Sequence, residues 1–189
     1  MDKNLLEIPD DLPVPVDDGA CDHLAELKLP GIMLATTDGR QIDISKLSGR
    51  TVIYAYPRTG RPDEGVFYEG WEAIPGARGC TPQSCGFRDH HNELKALGAQ
   101  VFGLSSQSTQ FQQEVVERLH LPFSILSDEN LELTNALNLP TFEVNGLTLI
   151  KRLTLIVSAG VIEHVFYPVF PPNTHAEVVI AWLQDHPSR

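Results

Sequence analysis

The chain has few cysteines and few basic residues. It contains three cysteines in 189 residues, too few for the disulfide framework of a small secreted domain. Lys and Arg number 14 against 25 Asp and Glu, which gives a formal net charge of −11. Binding to nucleic acid or to an anionic membrane surface requires basic patches. This charge balance therefore argues against both kinds of partner.

Long apolar runs are also missing. The sequence contains no apolar run of the length that spans a bilayer, and residues 1–7 lack the basic start and long apolar core of a secretory signal. We therefore expect a cytoplasmic protein that does not contact a membrane. The length and the apolar content of 42% suit one domain with a substantial core.

Two of the three cysteines, Cys80 and Cys85, lie in a segment typical of a helix start. Thr81 is a favourable N-cap and Pro82 suits the first helical position, so Cys80 should lie at a helix N-terminus. Unpaired backbone N–H groups and the positive end of the helix dipole favour a thiolate there. Arg78 adds positive charge nearby. A close pair of this kind indicates redox or metal chemistry.

Helical geometry gives the two cysteines different surroundings. Five helical residues span about 7.5 Å along the axis, beyond the roughly 7 Å between Cα atoms that a disulfide allows. A disulfide between Cys80 and Cys85 therefore requires local unwinding. Phe87 and Leu94 should share the face of Cys80 on a helix that ends near Gly98. We expect Cys80 to face a pocket and Cys85 to face away.

Apolar patterns predict an α/β domain preceded by an extension. Residues 1–29 are acidic and contain several prolines, which favours an extended arm, and Cys21 within it should be an ordinary thiol. In residues 30–189, strand and helix patterns alternate, which indicates a mostly parallel central sheet flanked by helices. Asp-Gly and Asn-Gly pairs mark hairpins. Residues 152–157 and 161–166 should close the sheet as an antiparallel pair.

An irregular stretch at residues 57–79 interrupts this pattern directly before Cys80. It is rich in proline, glycine and aromatic residues, and irregular connections of this length tend to be functional or disordered. Because the stretch ends at Cys80, we expect an inserted active-site loop that forms a lid or rim.

Residues 79–89, with the pattern Cys-x4-Cys-x-Phe-Arg-Asp, resemble the PrxQ/bacterioferritin-comigratory-protein branch of the peroxiredoxins, the AhpC/TSA or redoxin family. Residues 54–57 and 152–157 agree with it. The resemblance implies a thioredoxin-like fold and a thiol-dependent peroxidase without cofactor or metal. In that role Cys80 is oxidised by hydrogen peroxide or an alkyl hydroperoxide to a sulfenic acid, Cys85 resolves it as a disulfide, and a thioredoxin-type donor reduces the disulfide.

The resemblance also implies a role for Arg152. At one position the chain differs from the family pattern. In relatives the matching arginine hydrogen-bonds the reactive sulfur and stabilises charge on the peroxide. Relatives also carry Thr or Ser three residues before the reactive cysteine, where this chain has Ala77. Thr59 and Thr81 are the two candidates for the missing hydroxyl. A monomer or weak dimer is expected.

Two other functions fit the cysteine pair. Cys80, Cys85, His90 and His91 contain the ligand types of a zinc-binding module, but adjacent histidines point about 100° apart on a helix. We prefer one histidine packed towards the core and the other solvated. A general thiol–disulfide oxidoreductase is a closer alternative, although such enzymes usually carry Cys-x2-Cys.

Overall fold

The computed structural model describes residues 5–188 of the chain. Its strands are β1 (Met33–Thr36), β2 (Gln41–Asp43), β3 (Arg50–Ala55), β4 (Ala99–Ser105), β5 (Ile125–Ser127), β6 (Thr141–Val144), β7 (Leu147–Ile150), β8 (Leu153–Ser158) and β9 (Val161–Phe166). Its α-helices are α1 (Cys80–Asp89), α2 (His91–Ala96), α3 (Thr109–Leu119), α4 (Glu132–Leu137) and α5 (His175–Asp185). Among residues 5–188, no helix has the length and apolar composition of a bilayer span.

A seven-stranded sheet in the order β2-β1-β5-β4-β3-β8-β9 forms the centre of the domain. The central pairings, β3 with β4 and β4 with β5, are parallel. The outer strands join antiparallel, and β6 and β7 form a separate hairpin. The predicted fold class and hairpins are therefore confirmed. The parallel pairs need helical crossovers, and the first crossover carries the cysteine pair.

Strand β3 separates two apolar clusters because its side chains alternate between the faces of the sheet. Val52 and Tyr54 belong to the cluster under α1, α2, α3 and α5. Ile53 and Ala55 belong to the cluster on the other face. Every residue of β3 is buried, which explains its largely apolar sequence.

The last residues of the N-terminal extension pack into the domain core. Cys21, Leu24 and Leu29 are buried in the second cluster, on the face away from α1. Burial raises the pKa of the Cys21 thiol to about 12, so this cysteine stays protonated at neutral pH. The division between residues 1–29 and 30–189 remains a prediction.

The predicted single helix from Cys80 to Gly98 is wrong. The chain forms two helices, because His90 between them has φ −99° and ψ 9°, outside the helical range. Leu94 consequently lies on α2 rather than on the helix of Cys80. It is still fully buried in the same cluster as Cys80 and Phe87.

His175, the first residue of α5, is a buried titratable group. Its Nε2 lies 2.9 Å from Oγ1 of Thr154 on β8. Burial, with a smaller contribution from the charge of Arg152, lowers the pKa of His175 from 6.5 to about 3. The folded protein therefore keeps a neutral imidazole at pH values where the unfolded chain binds a proton.

We predict that His175 makes the fold acid-sensitive between pH 6.5 and pH 3. The unfolded state binds more protons in this window, so stability falls as the pH falls. A His175→Gln variant should lose less unfolding free energy between pH 7 and pH 4 than the wild type, by about 3 kcal/mol. Urea unfolding at both pH values measures this difference. The exposed His120→Asn variant is the control, and an equal pH dependence in the wild type and His175→Gln would contradict the prediction.

Candidate active site

Cys80 lies at a helix N-terminus, as the sequence predicts, but it is the first residue of α1 and not a residue that precedes the cap. Thr81 was the predicted N-cap, and that prediction is wrong: the N-cap is Gly79, and no side chain caps the helix end. Gly79 has φ 105°, which L side chains rarely adopt, and a Cβ there would collide with Pro172. The helix therefore begins before Thr81, and Thr81 and Pro82 are buried in its first turn.

The guanidinium of Arg152 contacts the sulfur of Cys80. Arg152 Nη2 donates to Cys80 Sγ at 3.1 Å, and each residue is 3% exposed. Arg152 directly precedes β8, whose first residue, Leu153, pairs with Ala55 at the end of β3. The sheet therefore places a permanent positive charge beneath the N-terminus of α1.

The loop before α1 holds this guanidinium in place. Arg152 Nε donates to the carbonyl of Gly76 at 3.2 Å, and Nη2 donates to the carbonyls of Ala77 and Arg78 at 3.1 and 3.2 Å. Three successive carbonyls thus orient one side chain. Ala77 occupies the position where the family pattern has Thr or Ser. It contacts Arg152 through its backbone carbonyl.

Gln83 is a site residue that the sequence reasoning missed. It is fully buried, and its Oε1 accepts a hydrogen bond from Arg152 Nη1. Its amide nitrogen has no hydrogen-bond partner among residues 5–188. Helical spacing could have identified Gln83, because a residue three positions after Cys80 lies on the same side of the helix.

Cys85 lies away from Cys80 and Arg152. It is half-buried against the apolar cluster under α1, α2, α3 and α5. It does not line the cavity that Cys80 lines, as predicted from the helix geometry. Burial raises the pKa of the Cys85 thiol. Both cysteines are free thiols within an intact α1, so a bond between them requires this helix to unwind.

Aromatic packing fixes α1 on the sheet. The ring of Tyr54 stacks on Phe87 with a centroid distance of 4.4 Å. The Tyr54 hydroxyl donates to Ser84 Oγ at 3.1 Å. Ser84 and Phe87 flank Cys85 along the chain, so unwinding around Cys85 must break these contacts.

A cavity of about 710 Å³ opens over Cys80. Most of its wall belongs to residues 57–79, and the rest comes from Leu5, Leu6, Cys80, Thr81, Arg118 and Leu119. The long segment before Cys80 therefore lines the same cavity as the Cys80 side chain. Its assignment as an inserted active-site loop remains a proposal.

The two candidate hydroxyls occupy different places. Thr59 is buried, and its hydroxyl donates to Oε1 of Gln107 at 3.1 Å. Thr81 lines the cavity together with Cys80. Thr59 does not line this cavity, so Thr81 is the candidate that shares it with Cys80.

The histidines of the zinc hypothesis have other neighbours. His90 Nδ1 lies 2.8 Å from Oε1 of Glu93, and the His91 ring packs 5.8 Å from the ring of Phe123. In the part of the chain that the structure describes, no group of three or more His, Cys, Asp or Glu residues can hold a metal ion. The geometry thus gives the zinc-binding module no support.

The fold and the site together define a class, a thiol peroxidase with a thioredoxin-like fold. Comparison with known proteins agrees. The Redoxin family model matches residues 24–180. Peroxiredoxin Bcp of Escherichia coli strain K12 is 31% identical over 162 residues, which cover 83% of this chain and 93% of that protein. Chloroplastic peroxiredoxin Q of Oryza sativa subsp. japonica is 31% identical over 157 residues, 82% of this chain and 64% of that protein.

A solved structure shows the same fold. Peroxidoxin BcpB from Mycobacterium tuberculosis superposes with a TM-score of 0.70 at 21% identity, covering 87% of this chain and 98% of that one. The chain belongs to the redoxin family, as a peroxiredoxin of the Bcp/PrxQ type. Peroxiredoxins use a peroxide substrate and a thiol reductant. This assignment favours the peroxidase over both alternatives considered from the sequence.

We predict that Gln83 positions Arg152 for the reaction. Gln83→Leu removes a buried acceptor from a charged donor, so oxidation of Cys80 by hydrogen peroxide should slow by about tenfold. Stopped-flow measurement of the second-order rate constant tests this. Gln112→Leu is the matched control, because Gln112 is equally buried but bonds Ser105 and Leu126. Equal rates in the two variants would contradict the role of Gln83.

Proposed function

We propose that this peroxiredoxin reduces hydrogen peroxide and alkyl hydroperoxides through Cys80, Cys85 and Arg152. The observation that carries the proposal is the buried contact between Arg152 Nη2 and Cys80 Sγ, at 3.1 Å, beside an open cavity. A guanidinium there stabilises negative charge on the sulfur and on the departing oxygen.

In the first step the Cys80 sulfur attacks one peroxide oxygen. An S–O bond forms while the O–O bond breaks, and the other oxygen leaves as water or an alcohol after it takes a proton. Cys80 is oxidised to a sulfenic acid and the peroxide is reduced. The Arg152 guanidinium reaches the sulfur and can stabilise the negative charge that develops there.

In the second step Cys85 attacks the sulfenic sulfur and displaces its oxygen as water. The disulfide that forms needs α1 to unwind, because a helix keeps the two cysteines too far apart. A dithiol donor then returns both sulfurs to thiols by exchange. We propose a thioredoxin-type donor, a cytoplasmic location, and a monomer or weak dimer, in keeping with the expectations from the sequence.

We predict that the two cysteine variants fail at different steps. Cys80→Ser should abolish peroxide consumption, because no other described thiol contacts Arg152. Cys85→Ser should consume about one equivalent of peroxide per chain and stop as a sulfenic acid. Mass spectrometry after dimedone treatment identifies that acid.

The matched control for these variants is Cys21→Ser, since Cys21 is buried on the opposite face of the sheet. It should turn over like the wild type with a thioredoxin system. Normal turnover in Cys80→Ser would refute the assignment of the nucleophile. Normal recycling in Cys85→Ser would refute the assignment of the resolving cysteine.

A further inference from the structure

The N-terminal arm, residues 5–18, lies along the segment that leads into α1. It contains no helix or strand, and its first two residues, Leu5 and Leu6, line the active-site cavity. Arg78 Nη2 donates to the carbonyl of Glu7 at 3.1 Å, across 71 positions of sequence. The start of the arm is therefore attached to the loop that directly precedes the reactive cysteine.

Two glycines in this loop let the arm approach closely. A Cβ on Gly79, the N-cap of α1, would lie 3.6 Å from Ile8, and a Cβ on Gly76 would lie 3.7 Å from Pro15. Both arm residues therefore lie against bare backbone. The same loop supplies the three carbonyls that hold the Arg152 guanidinium. The arm thus packs on the backbone that orients this charge.

An ion pair fixes the other end of the arm. Asp18 accepts from Lys151 Nζ at 3.0 Å and from the Tyr167 hydroxyl at 2.8 Å. The bond from Lys151 is the largest of the effects that lower the pKa of Asp18 from 3.8 to about 2. The carboxylate therefore stays ionised near neutral pH. Because Lys151 directly precedes Arg152, the arm is attached on both sides of the site.

An arm attached at several points limits the conformations of the loop beneath it. Its own ordering costs conformational entropy, which the contacts along its length must offset. While the arm is in place, the loop carbonyls stay aligned on Arg152 and the N-cap of α1 stays packed. Unwinding at the start of α1 has to disturb the contacts of Gly79 with Ile8. The arm and the ordered helix therefore stabilise each other.

We propose that residues 5–18 form a strap that stabilises the ordered start of α1. The strap keeps the loop aligned on Arg152 for the peroxide step, and it opposes the unwinding that joins Cys80 to Cys85. Ile8 and Asp18 are positioning residues in this role, since they act through the loop and through Lys151. The inference rests on the proposed function, because both steps belong to that cycle.

The test weakens both ends of the strap in the full chain, with Ile8→Ala and Asp18→Asn in one variant. Alanine removes the apolar contact at Gly79, and asparagine removes the charge that pairs with Lys151. The reduced protein is mixed with hydrogen peroxide and quenched at successive times with a sulfenic acid trap. Mass spectrometry gives the fractions of thiol, sulfenic acid and disulfide, and hence both rate constants. Oxidation of Cys80 should slow by about threefold, and disulfide formation should become faster by about threefold.

The matched control carries Val14→Ala and Asp11→Asn. It makes the same kinds of change on exposed side chains of the same arm, and Val14 is 63% exposed. Both of its rate constants should equal those of the wild type. Urea unfolding of the two variants checks that the domain itself is equally stable in both.

The outcomes separate this inference from the proposed function. Opposite changes of the two rates relative to the control support the strap, because a general loss of structure does not speed one step while it slows the other. Any other combination of the two rates would overturn the strap while Cys80 is still oxidised and Cys85 still resolves it. A wild type that forms no sulfenic acid on Cys80, or no disulfide with Cys85, would overturn the proposed function itself.

Discussion

The contact between the Arg152 guanidinium and the Cys80 sulfur is the interaction on which the other features of the site depend. The two residues are 72 positions apart in the sequence, so the fold must bring them together. The antiparallel pairing of β8 with β3 brings Arg152 close to the C-terminal end of β3, where α1 begins. Gly79 turns the chain there with a positive φ, which presents the carbonyls before it to the same guanidinium.

Burial determines what this contact can do. A charge removed from water interacts more strongly with its partners, and it costs free energy if it has none. Arg152 meets this cost with carbonyl acceptors, Gln83 and the sulfur. In the proposed reaction, this donor is therefore fixed before the peroxide arrives, and a fixed donor stabilises developing charge most effectively.

In the proposed cycle, α1 is ordered while Cys80 reacts with the peroxide and unwinds before Cys85 can reach Cys80. In the ordered state, Cys80 meets Arg152 while Cys85 packs away from the cavity. The Tyr54–Phe87 stack and the bond from Tyr54 to Ser84 stabilise that state. In that proposed cycle, the strength of these contacts determines the lifetime of the sulfenic acid, because the contacts must open before the disulfide forms.

The sequence predicts those features that depend on local spacing. Strand and helix order, the position of Cys80 at a helix start and the separate face of Cys85 all follow from apolar periodicity and helical geometry. The sequence indicates the wrong N-cap because Thr81 has the side chain of a good cap, whereas the crowding at Gly79 comes from Pro172, which is remote in sequence. Helical spacing places Gln83 on the side of Cys80, but its bond to Arg152 and the shape of the cavity depend on which distant segments meet at the end of β3, and local spacing does not predict this.

The most direct test of the central contact is the rate at which hydrogen peroxide oxidises Cys80 in Arg152→Met, with Arg152→Lys alongside and circular dichroism to confirm folding. Loss of the donor should lower the second-order rate constant by about 100-fold or more. Lysine should restore only part of the rate, because its ammonium cannot reach the sulfur, the carbonyls and Gln83 with the geometry of a guanidinium. A folded Arg152→Met protein that reacts as fast as the wild type would contradict the account.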